Sequence, residues 1–400
     1  SSDVCSSDLE PVRFSEGALD LRFAMDPFLV EIGQLSLVEE ARRLEVKGRI
    51  GADAAGWRTS LDVKLNEIAH DRLIALWPTT LLPKTREWVV KNLLKARLYD
   101  VEAALRIAPG EEPRLHLGYS FSDADVRFLA TLPPIRNGVG YSTIDGQTYT
   151  MVMSKGKVTA PLGGEIAVTG SVFRVPDVRA RPARAEITLK TASSLTAALS
   201  LLDLPPFNFM TKAERPVDLG EGRAEIETRL SLPLQKKIAL KDVDYDVSGT
   251  VRDFRSSRLV PNREVTAEVL AVTATPEGLE ITGPGLLGAV PFDATFSQGF
   301  APDQKGRAQI SGEVVLSQAV AEEFGLGLPV GMVSGKGAAE VEIALVKGQP
   351  GVLSLTSQLA GIGLSIPELG WSKPAGAKGR LSAQVTLGSV PRVEELVLEE

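Results

Sequence analysis

One stretch matches a phosphate-cradling pattern letter for letter. Gly283-Pro284-Gly285-Leu286-Leu287-Gly288 reads G-x-G-x-x-G after a strand, where glycines would let the backbone approach a pyrophosphate. That chemistry needs a helix next, with its N-terminal amides facing the phosphate. Ala289 to Phe296 alternates as another strand instead, so a β-turn is predicted. Gly335-Lys336-Gly337 lacks the upstream glycine and the Ser or Thr of a phosphate loop and also reads as a turn. Asp242, Asp244 and Asp246 are spaced like calcium ligands, but the glycine and distal glutamate are missing. They alternate with Val243, Tyr245 and Val247, as on a solvated strand face. His70 opens a helix and His116 falls on a polar strand face, neither near an evident nucleophile, and no G-x-S-x-G elbow occurs. Arg179, Arg181 and Arg184 form the densest basic cluster, read as a solvated loop rim with headgroup or partner contact as the alternative. No catalytic residue, metal or cofactor is predicted.

Composition agrees with that. The 400 residues carry 44 basic and 51 acidic side chains, a net charge of −7, with one Cys and two His. A disulfide framework, a zinc cluster and a multi-histidine metal centre are excluded. Without a sustained basic tract, nucleic acid is an unsuitable partner. The opening Ser1-Ser2-Asp3-Val4-Cys5-Ser6-Ser7-Asp8 reads as part of a nine-residue tag or assembly remnant, and both ends look cut. No run of 18 apolar residues occurs that would span a membrane as a helix.

What must be positioned is therefore an apolar surface. Ala224, Ile226, Thr228, Leu230, Leu232 and Leu234 alternate with Glu225, Glu227, Arg229 and Ser231, the period of a half-buried strand. The same reading covers Leu19 to Met25, Leu44 to Ile50, Trp57 to Leu65, Val101 to Ile107, Leu115 to Phe121, Ile166 to Val172 and Ala185 to Leu189. It continues through Val243 to Val251, Val265 to Ala271, Val290 to Phe296, Ala308 to Leu316, Ala339 to Leu345 and Leu381 to Leu387. With weaker cases about eighteen antiparallel strands are predicted, each with one wet face. Helices are few: one closing at Leu76-Trp77-Pro78, one opened by Ser122 and closing at Leu132-Pro133-Pro134, one from Ser193 or Ser194 to Leu204-Pro205, and one from Ser317 to Leu328-Pro329. Their prolines suggest a degenerate repeat of about 55–70 residues. The organisation expected is a first strand group over 10–69, a helical insert over 70–100 and a continuing repetitive sheet over 101–400.

So many one-faced strands must set that face against something. Two solutions remain open: a self-packed sandwich or closed barrel serving as a structural or interaction scaffold, and a long curved sheet whose apolar face is left for a ligand. A polysaccharide-active enzyme with convergent carboxylates is a third. With only 6% aromatic residues, the aliphatic strand faces line a channel better than they fill a core. An acyl chain suits such a channel, at about 0.8 kcal/mol per buried methylene. The floor predicted for it comprises Leu105, Ile107, Ile187, Leu189, Ile226, Leu230, Val243, Val247, Val265, Val269, Val314, Leu316, Val341, Ile343, Val385 and Leu387. The helix around Trp88, Val89, Leu93 and Leu94, flanked by Lys84, Arg86, Lys91 and Lys95, is amphipathic and suits either a cap on one end of the sheet or a membrane surface.

Residues 72–107 add a resemblance. Leu76-Trp77-Pro78, then Pro83, Arg86, Trp88-Val89 and Asn92-Leu93 running into Val101 to Ile107, resemble the AsmA-like superfamily of Gram-negative envelope proteins, in particular its YhdP-like branch. The cadence Glu277 to Gly283, Gly288 and Val290-Pro291-Phe292 is similar, as is the run from Ser317 through Leu328-Pro329 and Gly335-Lys336-Gly337 to Leu345. Where the family commonly has Gly at the exit of the Trp helix, this chain has Ala96-Arg97. The resemblance implies a mainly β, repeating β-groove in a periplasmic protein. It further implies an inner-membrane anchor upstream of this segment and transfer of phospholipid toward outer-membrane components without a catalytic step or cofactor.

Overall fold

The computed structural model describes residues 14–399 except 78, 80, 81, 236, 237, 239–241, 327, 330, 368, 369, 389 and 390. The N-terminal segment read as a remnant, with Cys5, lies outside the described residues, as does Pro78. The chain is mainly β: 21 strands in one antiparallel sheet, three in a small second sheet, and five short α-helices among the described residues. It divides into two compact units, the first running to Thr191 with Leu204–Pro206 and Arg229–Val243, the second comprising Ala192–Asp203, Phe207–Thr228 and Asp244–Glu400.

In the first unit β1 (Glu16–Met25), β2 (Phe28–Glu39), β3 (Arg42–Asp53) and β4 (Gly56–Ala69) precede α1 (His70–Leu76) and α2 (Pro83–Asn92). Then come β5 (Leu93–Ile107), β6 (Arg114–Val126), β7 (Ile135–Asp145), β8 (Thr148–Thr159), β9 (Glu165–Ala167), β10 (Ser171–Val175) and most of β11 (Arg184–Ser194). Each strand from β1 to β8 pairs antiparallel with the next, β8 pairs with both β9 and β10, and β10 pairs with β11.

The second unit holds α3 (Leu195–Leu202), α4 (Phe209–Ala213), most of β12 (Glu221–Pro233), β13 (Asp244–Val260), β14 (Arg263–Thr275), β15 (Gly278–Leu287), β16 (Val290–Gly299) and β17 (Arg307–Leu316). After α5 (Gln318–Glu323) follow β18 (Val333–Gly335), β19 (Gly337–Val346), β20 (Gly351–Ser357), β21 (Ile362–Ile366), β22 (Trp371–Lys373), β23 (Arg380–Leu387) and β24 (Arg392–Glu399). β13 to β17 pair in sequence and continue through β19, β20, β23 and β24. The excursion β18, β21 and β22 forms the small sheet. Lys373, the last residue of β22, is buried, and its ammonium donates to the carbonyls of Leu359 at 2.9 Å and Ile362 at 2.8 Å.

Bulges shape both units. Asp100, Asp123, Asn137 and Asp253 sit inside strands with φ near +50°, a conformation that short Asx side chains tolerate better than most. At the first three the register slips between Tyr99 and Glu102, Phe121 and Ala124, and Arg136 and Val139, so a line of bulges crosses β5, β6 and β7. Bulges bend a strand and increase its twist. They also bring apolar residues three apart onto one face: Phe121 lies opposite Gly140 and Ala124 opposite Gly138. A Cβ on Gly140 would sit 2.0 Å from the Val152 carbonyl oxygen and 2.7 Å from Phe121 Cζ, which requires glycine there.

Four expectations are corrected. The segment opened by Ser122 is not a helix, because β6 runs to Val126 and turns follow. Asp125, three residues on from Ser122, accepts from the Asn137 amide at 3.0 Å and pairs with Arg136 at 2.8 Å across the sheet. α5 stops well before Leu328-Pro329, because Gly325 adopts φ +60° and the Leu326 amide closes on the Ala321 carbonyl at 2.9 Å. Ile166 to Val172 is two short strands separated by a turn at Gly170, φ +80°. With the Ser122 helix gone, the inserts lie between β4 and β5, β11 and β12, and β17 and β19, and the spacing of 55–70 residues is lost. Their Leu-Pro or Trp-Pro closures at 78, 205 and 329 are 127 and 124 residues apart. The first insert ends at Asn92, within the span expected to be helical. In the second insert α3 is capped as expected, with Ser194 Oγ accepting from the Ala197 amide at 3.1 Å.

Candidate functional site: the apolar sheet face

Strand register sorts the side chains into rows. In the first unit Leu19, Leu35, Val46, Val63, Ala103, Leu117, Ile144, Tyr149 and Val175 are successive ladder partners across nine strands. Residues facing each other in a ladder share a face of the sheet, so this is one continuous apolar row. The face opposite it carries Arg22, Glu31, Arg49, Ser60, Arg106 and Arg114 in one ladder. Ion pairs such as Arg106 with Asp62 at 2.6 Å and Lys64 with Glu102 at 2.7 Å lie there.

The second unit repeats the arrangement. Gly249, Val272, Ile281, Phe296, Ile310, Ile343, Leu353, Val385 and Val393 form an unbroken row over nine strands. The opposite face presents Thr282, Thr295, Ser311, Glu342, Ser354, Gln384 and Glu395.

Burial along these faces is uneven. Beyond the bulge line, beside α1 and α2, Ile68, Ala96, Leu98, Phe121 and Ala124 are buried, whereas Val101, Ala103, Leu105, Ile107 and Leu117 are only half-buried. In the second unit Ala224, Val251, Phe254 and Ala267 are buried with Leu195 and Ala198 of α3 packed on them. Leu316, Ala339, Leu359 and Ile362 are buried with Val320 of α5. Ile310, Ile343, Leu353 and Val385 are half-buried. Each helical insert thus packs on part of an apolar face and leaves the rest accessible. At the outer strands the face is open, with Leu19 62% and Leu396 65% exposed.

Of the predicted floor, Leu105 meets Leu61 and Leu115, Ile107 meets Thr59, and Ile187 meets Phe173. Leu189 and Leu230 are half-buried on β11 and β12. In the second unit Val247 meets Ala274, Val265 meets Leu287, Val314 meets Phe292 and Ala339, Val341 meets Gly312 and Leu355, and Leu387 meets Gly351. Ile343 and Val385 lie in the nine-strand row, and Ile226 packs against the Phe254 cluster. Three positions differ from the prediction. Val269 pairs with Arg252, because the bulge turns Leu270 inward instead. Leu316 is buried beneath α5 and its neighbours, and Val243 precedes β13. The prediction omitted Leu117, Tyr149 and Met151, although Leu115 to Phe121 and Gln147 to Met153 alternate as clearly as the strands it used.

One polar spot interrupts the first unit's face. Tyr119 and Tyr149 place their hydroxyls 3.5 Å apart beside the buried Ser142, and Tyr149 packs edge-on to Phe173. Burial, reinforced by Tyr119, pushes the Tyr149 phenol above its ordinary 10.0, so it stays protonated and able to donate a hydrogen bond.

The other motifs take structural places. The G-x-G-x-x-G segment ends β15 and turns at Gly288 into β16. Asp244 and Asp246 are exposed on β13, and no group of three His, Cys, Asp or Glu among the described residues is placed to hold a metal. His116 is exposed on β6. Arg179 pairs with Glu112 and Arg184 donates to Ser231 at 2.9 Å, tying loop and strand ends. No described helix is long and apolar enough to cross a membrane. No family model, curated protein or solved structure matches this chain.

Proposed function

We propose that the chain is a segment of a non-enzymatic lipid conduit of the AsmA-like, YhdP-like kind, anchored at the inner membrane and moving phospholipid across the periplasm. The observation that supports this reading most is the pair of nine-strand apolar rows, left half-exposed while the opposite face is charged or hydroxylated. Acyl chains lie against aliphatic side chains without a directional contact, and so can slide along strands that repeat every ~4.8 Å. Burial of each methylene contributes about 0.8 kcal/mol, while the headgroup remains in water. No nucleophile, general base or cofactor enters the process. A self-packed scaffold would need the same rows fully buried.

Native mass spectrometry of the gently purified chain tests this. Adducts with phospholipid masses are expected on the folded protein, and they should disappear on delipidation and return with added phospholipid. A folded chain that takes up no lipid would overturn the reading for this segment.

A further inference from the structure

On the polar face cations such as Lys64 and Arg106 are ion-paired, whereas those along α2 are not. Lys84, Lys91 and Lys95 are exposed along α2 and the start of β5, and Arg127 is exposed just past β6; none has an ion-pair partner among the described residues. Lys84 and Lys91 share α2 with the exposed Trp88, and Arg127 adjoins the exposed Phe128 in sequence. Trp88 (45% exposed) and Phe128 (44%) have ring centroids 6.3 Å apart, with Leu129 beside Phe128 in sequence. Lys84 and Lys91 lie one turn either side of Trp88, and Glu87 is the one acid on the helix. The patch is firmly held. Arg86 donates to the carbonyls of Trp77 at 3.1 Å and Ile74 at 3.3 Å, and the Arg127 amide donates to the Asn92 carbonyl at 2.9 Å.

We infer that the Trp88–Phe128 patch docks on an anionic phospholipid bilayer. Trp and Phe suit the headgroup boundary, and a rim of unneutralised Lys and Arg complements a negative surface. An acidic protein surface could meet the cations but would leave the exposed aromatic pair without its matching layer. This docking is separate from acyl-chain occupancy of the sheet face.

The test is co-sedimentation of the whole chain with phosphatidylcholine vesicles, with and without phosphatidylglycerol. Binding is expected only with phosphatidylglycerol, weakening as salt rises, and about fivefold weaker for each of Lys84→Gln, Lys91→Gln and Lys95→Gln. Trp88→Ser with Phe128→Ser should lower it at least as much. The lysine variants keep the apolar contacts, so they remain informative if the aromatic variant folds poorly. Val341→Asp should bind these vesicles as the unaltered chain does, which separates docking from the conduit. Failure of the unaltered chain to bind, or unaltered binding by the folded lysine variants, would overturn the inference.

Discussion

Val341→Asp combined with Ile343→Asp is expected to empty the second unit's apolar face of lipid while leaving the unit folded. Val341 lies between Gly312 and Leu355, and Ile343 between Ile310 and Leu353, at the middle of the open rows. Both side chains are half-buried, so a carboxylate at either position keeps contact with water. Lipid loses more. Displacing three or four methylenes from the floor forfeits about 2–3 kcal/mol, or about 100-fold in affinity. If the face were a closed core, two unpaired buried carboxylates would cost several kcal/mol each and the unit would unfold. A lipid-binding titration alongside a thermal melt distinguishes the outcomes: affinity should fall with the transition nearly unchanged.

Phe254→Ala is expected to do the reverse, costing about 3–5 kcal/mol of stability. Phe254 is buried among Ala224, Val251 and Ala267, with Leu195 and Ala198 of α3 over them. Gly220 faces its ring, where an added Cβ would come within 2.8 Å of Cε2, so the site is tightly filled. Truncation leaves a cavity the surrounding strands cannot close. Denaturant unfolding measures the loss, and the smaller truncation Val385→Ala in the open row should cost only about 1 kcal/mol. A loss well above about 1 kcal/mol at Val385 would mean that the row is packed as a core rather than open.

Strand alternation made the β architecture legible because a sheet with one wet face writes period two directly into the chain. The bulges were illegible for the same reason. Phe121 and Ala124, three apart, carry the spacing of a helix, and Ser122 with Asp125 imitates a cap. Only the cross-strand partners of Asp125 reveal a bulged strand. Val269 was misplaced by the related bulge on β14, where Ala267 and Leu270 both face the Phe254 cluster. The sheet face of most of the residues predicted as floor was legible from alternation, since they lie away from the bulges. The division between packed and open parts of each face was not, because Leu98 and Leu105 look alike in sequence and differ only in whether a helix lies beside them.

Site-specific photo-cross-linking offers the most direct test of lipid on this face. A benzophenone side chain placed at Leu105 or Ile343 reports on the apolar rows, and one at the adjoining Arg106 or Glu342 reports on the polar face. With the chain folded in the presence of phospholipid, Leu105 and Ile343 should yield lipid adducts, and Arg106 and Glu342 should yield none. Adducts from both faces alike, or none from Leu105 and Ile343, would contradict a lipid-carrying apolar face.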